Sequence, residues 1–185
     1  MLHTARLTLR AARPGDLADL HAVYGDARTM RYWSTAPHAG LMETKRWLEG
    51  LIAASGDTPP YLVIEHEGRA IGTAGVHEGA EIGFILHADY WRRGLMREAF
   101  EALIPYLFEV TGAETLTADA DPRNTASIAL MAALGFEETG RAERTFCVNG
   151  EWSDSVYLRL TRPWAPSLRR KIDFNGPRSA PGAFP

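Results

Sequence analysis

Residues 81–98 run Glu-Ile-Gly-Phe-Ile-Leu-His-Ala-Asp-Tyr-Trp-Arg-Arg-Gly-Leu-Met-Arg-Glu, and their order suits them to gripping an anion. They read as an apolar strand, a short basic turn with one glycine, and the first turn of a long helix. The first N–H groups of a helix have no internal partners and sit at the positive end of its dipole. Gly94 lets a ligand approach that backbone closely, and Arg92 and Arg93 add charge-assisted donors for phosphate oxygens. The anion would be held between Arg92 and Arg97. A solvated basic loop has the same composition, so spacing alone leaves both readings open.

Other residues could do chemistry. Asn124 and Ser127 lie three apart at a second helix start, the spacing of an N-cap and its N3 partner, so by spacing they are capping residues. Glu81 opens an apolar strand, where partial desolvation would raise its pKa toward that of a useful base; the alternative is a strand-end carboxylate in water. His77 ends the preceding strand and competes for the same role. Tyr32, Trp33, Trp91 and Trp152 are either walls of a substrate pocket or core. Glu151 and Asp154 could meet a cationic substrate or be a solvated hairpin tip. Cys147, the sole cysteine, has no neighbour in sequence that would activate it and no partner for a disulfide.

The elements that must position these groups follow from periodicity. Residues 5–12 alternate as a half-buried strand with Leu7 and Leu9 on one side. Pro14-Gly15-Asp16 breaks it, with Asp16 as N-cap of a short helix carrying Leu17, Leu20 and Val23. A second helix covers about residues 41–54. Residues 61–65, 70–77 and 81–86 read as an antiparallel meander with a tight turn at Glu67-Gly68. A helix over residues 95–110 holds Pro105 and should kink there. Strand 115–120, helix 125–134 stopped by Gly135, and a hairpin of strands 137–146 and 153–161 turning at Asn149-Gly150 complete the order. This is one mixed α/β domain over residues 1–164, built on a single, mostly antiparallel sheet with helices on both faces. From residue 165 to 185 the chain is rich in Pro, Gly and Arg without periodicity and reads as a tail.

Bulk properties narrow the class. A formal net charge of −3 gives no global field for nucleic acid or anionic membrane. One cysteine rules out a multi-cysteine zinc cluster and suits a reducing compartment. No apolar run is long enough to span a bilayer, and no secretory leader is evident at the N-terminus. The expectation is a cytoplasmic protein with no metal.

Taken together and in order, the motifs resemble the Gcn5-related N-acetyltransferase (GNAT) superfamily, in particular its RimJ/RimL-type ribosomal-protein-acetylating branch. Thr4-Ala5-Arg6-Leu7-Thr8-Leu9-Arg10 looks like the first strand of that branch, and Gly72 to His77 and Glu81 to Phe84 look like its third and fourth strands. Tyr90 to Ala99 looks like its coenzyme A pyrophosphate loop. Asp121-Pro122-Arg123-Asn124-Thr125-Ala126-Ser127, ending in Leu134-Gly135-Phe136, looks like its second coenzyme motif, and residues 149–154 are similar to its terminal hairpin. The loop departs from the pattern: Trp91 and Met96 hold its first and last places, and Arg92 stands where Gly is frequent. The grip should therefore lean on Arg92, Arg93 and the amides of Gly94, Leu95, Met96 and Arg97.

The resemblance implies acetyl-CoA as cosubstrate. It implies that Phe84, Ile85 and Leu86 lie beside the pantetheine arm in a gap between splayed strands, with strand 115–120 across the gap. It implies Asn124 as a coenzyme contact and Ser127 near the sulfur, able to protonate the leaving thiolate. The amine would attack the thioester directly in a ternary complex, with Glu81, His77 or a held water taking the proton. Tyr32, Trp33, His77 and Glu81 would bind the acceptor. The branch suggests a protein N-terminal amine, and the superfamily also suggests small amines such as polyamines, amino acids or antibiotics. A homodimer is a further expectation. The alternative from another class is a non-catalytic acyl-CoA-binding or partner-binding module, against which Glu81, Asn124 and Ser127 together argue for catalysis. A P-loop is excluded because no Gly-Lys-Ser/Thr closes a glycine loop.

Overall fold

The computed structural model describes residues 1–56, 60–77 and 79–163. The expected tail at 165–185, and any part it plays in a dimer, lies outside the described residues.

The first half of the chain forms an antiparallel sheet in the order β1 (Leu2–His3), β2 (Thr8–Arg10), β3 (Tyr61–His66), β4 (Arg69–Val76) and β5 (Ile82–Leu86). Glu67 and Gly68 turn β3 into β4 with φ of 51° and 79°, the doubly left-handed geometry that suits a two-residue hairpin. Helices α1 (Leu17–Tyr24) and α2 (Leu41–Ala53) fill the connection between β2 and β3. In the second half, α3 (Leu95–Thr111), β6 (Thr115–Ala120) and α4 (Thr125–Ala133) lead into the hairpin of β7 (Glu137–Val148) and β8 (Glu151–Thr161). These strands pair antiparallel in the order β6-β8-β7, and the hairpin turns at Asn149 and Gly150 at φ of 52° and 83°. Helix α4 stops as its sequence specifies: Phe136 N–H donates to Met131 O and Gly135 N–H to Ala132 O, both at 3.0 Å, with Gly135 at φ 93°.

The expected sheet comes in two parts joined at one point. Glu81 and Thr117 form an isolated parallel bridge, and Thr117 N–H donates to Ala80 O at 3.0 Å. Beyond that bridge β5 and β6 pair no further, so β5 is an edge strand from Gly83 to Leu86. On one face of both sheets, α3 and α4 bury Ile82, Leu86, Leu116, Ala118, Val156, Leu158 and Leu160 beneath Leu103, Leu107 and Met131. On the other face of the first sheet, α1 and α2 cover Val63, Ala70 and Ile85 with Leu20, Val23 and Leu48. Helix α3 runs through Pro105 to Thr111.

Two local expectations change. The opening strand is shorter than residues 5–12, and β1 at Leu2–His3 extends the sheet edge. Asp16 does not cap α1 with its side chain. Its carboxylate instead accepts from Arg13 N–H at 2.9 Å and grips Arg10 Nη1 and Nη2 at 2.8 and 2.6 Å. The reason is the burial of Arg10, which is only 5% exposed despite its polar place in the strand, and a buried guanidinium requires a counter-charge. Burial alone would raise the Asp16 pKa; the Arg10 guanidinium and the Arg13 N–H hold it below its ordinary value.

Among the described residues no helix is long and apolar enough to cross a membrane, and no group of three or more His, Cys, Asp or Glu is placed to hold a metal.

Candidate active site

The basic turn sits between the β5 edge and the N-terminus of α3. Two of its residues are left-handed, Arg92 at φ 60° and Gly94 at φ 74°. Arg92 thus adopts the conformation glycine supplies cheaply, at a cost of about 1 kcal/mol or more. Gly94 is the N-cap of α3 and offers no side-chain cap, so the first amides of the helix remain without an internal acceptor. Trp91 has a structural reason for its place in the loop: its indole N–H donates to Leu86 O at 2.6 Å.

The alternating φ values send the two arginines in different directions. Arg92 lines a cavity of about 500 Å³ together with Gly94, Leu95, Met96 and Arg97. Phe84, Ile85 and Leu86 form its strand wall, and Asn124, Ser127 and Leu130 of the α4 segment stand opposite. Arg93 does not line this cavity; its guanidinium lies 5.3 Å from the Tyr90 ring centroid and 3.5 Å from His66 Nε2. Arg97 lines the cavity while pairing with Glu101 at 3.0 Å. Asn124 Oδ1 accepts from Ser127 N–H at 3.2 Å, so the capping role read from spacing holds, and both residues also face the cavity.

A second cavity, of about 400 Å³, lies where the two sheets join. Glu81 and His77 line it, with Asp119 on β6, Asp121 and Arg123 in the β6–α4 turn, and Glu151 and Ser153 of the hairpin. Tyr32 and Trp33 line both cavities and form the wall they share. Trp33 also meets Tyr24 edge to face at 6.3 Å, so its pocket and core roles coexist. Trp91 lines the larger cavity, whereas Trp152 is 48% exposed under Arg144 and lines neither. Asp154 also lies away from the cavities and accepts from Arg144 N–H at 2.9 Å.

The electrostatics of the second cavity differ from expectation in one respect. Glu81 is exposed, so the burial expected to perturb its carboxylate is absent. His77 packs against Tyr61 with the ring planes tilted by 39° and the centroids 4.0 Å apart. A Cβ on Gly83 would lie 3.0 Å from His77 Cδ2, so a larger residue there would make the ring shift by a few tenths of an ångström. His77 as a whole is exposed, but desolvation of its ring against Tyr61 lowers its pKa below the ordinary 6.5. Beneath it, burial pushes the Tyr61 phenol up to about 12. Thr73 Oγ1 lies 3.3 Å from the Tyr61 hydroxyl and 2.7 Å from that of Tyr24.

Three residues escaped the sequence reading. Asp119 Oδ2 accepts from Ser155 Oγ at 2.8 Å, while Oδ1 is buried without a hydrogen bond of good geometry. Burial raises the Asp119 pKa, against the lowering effects of the Ser155 hydroxyl and the Ala120 N–H. Arg123 binds Asp121 at 2.6 Å and Glu151 at 2.6 Å, joining the α4 turn to the hairpin tip. Arg6 donates to Glu98 and to Arg93 O, fixing the basic turn from behind.

The family described as Acetyltransferase (GNAT) domain matches residues 6–137. The spermidine N(1)-acetyltransferase of Escherichia coli K12 is 26% identical over 156 residues, covering 81% of this chain and 83% of that protein. The [ribosomal protein uS5]-alanine N-acetyltransferase of the same organism is 35% identical over 86 residues, covering 46% and 44%. A Vibrio cholerae spermidine N-acetyltransferase, solved with CoA and spermine, superposes with a TM-score of 0.71 at 23% identity, over 86% of this chain and 98% of that one.

Proposed function

The chain belongs to the GNAT acetyltransferase family, as an N-acetyltransferase that uses acetyl-CoA; from this premise we propose that it acetylates a cationic primary amine bound in the smaller cavity. The observation that carries the proposal is the meeting of the two cavities at Tyr32 and Trp33, beside the point where β5 and β6 part. In this reading the larger cavity takes the coenzyme. Its phosphates meet Arg92 and the amides of Gly94 to Arg97, and its pantetheine arm follows Phe84, Ile85 and Leu86. Arg93 supports the loop rather than the phosphates.

The acceptor nitrogen, once deprotonated, attacks the thioester carbonyl; the C–N bond forms, the C–S bond breaks, and the thiolate takes a proton. Ser127 lines the larger cavity and is the proposed donor of that proton. His77, neutral at pH 7, or Glu81 takes the proton from the amine directly or through water. His77 and Glu81 are both exposed, so burial does not choose between them; a neutral imidazole at pH 7 is what favours His77.

The acceptor is read from the lining. Glu81, Asp119, Asp121 and Glu151 outnumber Arg31 and Arg123, which favours an amine carrying further positive charge. A protein N-terminal amine is the second reading, supported by the partial likeness to the uS5-alanine enzyme. The test is thiol release from acetyl-CoA across a panel of polyamines, amino acids, aminoglycosides and N-terminal peptides. Turnover confined to polycations supports the proposal. Turnover confined to peptides replaces it with the second reading. Coenzyme binding without turnover on any acceptor would make the cavity a binding module.

A further inference from the structure

Helix α3 starts in an unusual state. Its N-cap is glycine, and the only acidic residue in its first turn is Glu98. The Glu98 N–H is the first to find a helical acceptor, Gly94 O at 3.1 Å. A carboxylate in the first turn that leans back toward the preceding amides competes for them and offsets the dipole there. It would then occupy, or repel a phosphate from, the amides that the proposed coenzyme site needs.

The carboxylate of Glu98 is instead held elsewhere. Thr4 Oγ1 donates to Oε1 at 2.6 Å, Arg6 N–H donates to Oε1 at 2.7 Å, and Arg6 Nε donates to Oε2 at 2.7 Å. The same guanidinium reaches on, and Arg6 Nη1 donates to Arg93 O at 3.0 Å. That carbonyl lies between the two left-handed residues Arg92 and Gly94. One side chain therefore neutralises the acid at the helix start and braces the strained turn beside it. Such a turn persists only when its surroundings over-determine it. Glu98 is ionised at neutral pH: burial raises its pKa, but Thr4 and Arg6 more than offset this and hold it below the ordinary value.

We propose that Arg6 is a positioning residue for coenzyme binding, which withdraws the Glu98 carboxylate from the N-terminus of α3 and so keeps those amides open to the pyrophosphate. Arg6 acts through Glu98 and Arg93 and need not touch the ligand. The proposal rests on the coenzyme site described above.

The test is a set of variants titrated calorimetrically with coenzyme A. R6A should weaken binding at least about tenfold, since Glu98, left with only Thr4 Oγ1 and the backbone N–H of residue 6, loses its counter-charge and its negative charge then opposes the phosphates. E98Q should bind within about twofold of the unaltered chain, because the repelling charge is gone. The double variant R6A/E98Q should recover most of the loss. In steady state R6A should raise KM for acetyl-CoA and leave KM for the acceptor unchanged. Should R6A not fold, R6K and R6K/E98Q give the same comparison, because lysine cannot reach Glu98 and Arg93 O together. Affinity in R6A equal to that of the unaltered chain overturns the proposal. A double variant as weak as R6A also overturns it, because Arg6 would then act directly or through the fold. If the unaltered chain does not bind coenzyme A, the site reading itself fails and the proposal with it.

Discussion

Trp91 donates its indole N–H to the carbonyl oxygen of Leu86 at 2.6 Å, so the residue entering the basic turn is fastened to the end of the strand it has just left. The bond sets where the turn begins relative to β5. It gives tryptophan a structural role at the first place of the loop. Trp91→Phe keeps the ring and removes the donor. The loss of about 1 kcal/mol corresponds to roughly fivefold weaker coenzyme A binding. Calorimetric titration reads it directly, and unchanged affinity would show that the turn is held without this bond.

The proton acceptor can be assigned from pH profiles. Burial against Tyr61 lowers the His77 pKa, so the neutral imidazole is available at pH 7 and is lost only as pH falls through a value below 6.5. With His77 as base, the acid limb of kcat/KM lies below pH 6.5 and disappears in His77→Gln. Glu81→Gln should lower kcat while coenzyme affinity stays within about twofold, because Glu81 lies on the acceptor side. An acid limb kept in His77→Gln and removed in Glu81→Gln would give the role to Glu81.

Asp119 should trade stability against activity. Its folded pKa is raised by burial, so its protonated form is favoured in the fold and ionisation above that pKa costs stability. Asp119→Asn removes the charge and keeps an acceptor for Ser155. At pH 7 the variant should melt no lower than the parent and turn over a cationic acceptor more slowly. The melting advantage should vanish as pH falls through the Asp119 pKa. A lower melting temperature at every pH would mean that the carboxylate stabilises the fold.

The Arg10–Asp16 pair should dominate the response to acid in the N-terminal half. Both side chains are nearly buried, at 6% and 3% exposure. Removing one partner leaves the other charge uncompensated, so Asp16→Ala should cost about 3–5 kcal/mol in urea unfolding. The folded Asp16 pKa lies below its ordinary 3.8, so its contribution is fully present above that value and is lost as pH falls through the folded pKa. Asp16→Ala should flatten this part of the stability profile. A variant as stable as the parent would refute the assignment.

What the sequence disclosed was local. The two-residue turns at Glu67-Gly68 and Asn149-Gly150, the stop at Gly135 and the cap at Asn124 are set by residues within a few positions of each other, and each forms as its chemistry requires. What stayed hidden depends on distant segments. Nothing in strand 115–120 marks Asp119, because its partner Ser155 lies 36 positions on. Arg6 and Glu98 are 92 positions apart, and no periodicity links them. Arg92 and Arg93 are indistinguishable by composition; only the left-handed backbone at Arg92 sends one to the cavity and the other to Tyr90. Glu81 opens an apolar strand, but that strand starts at the rim where the sheets join, so its carboxylate stays wet.

The β7–β8 hairpin supplies Phe146, Val148, Asn149, Glu151 and Ser153 to the smaller cavity and nothing to the larger one. Substitutions at this tip can therefore alter which amine is welcomed without disturbing the half that receives the acyl donor. A change of diet for such an enzyme needs only a new fingertip, while the palm is inherited unaltered.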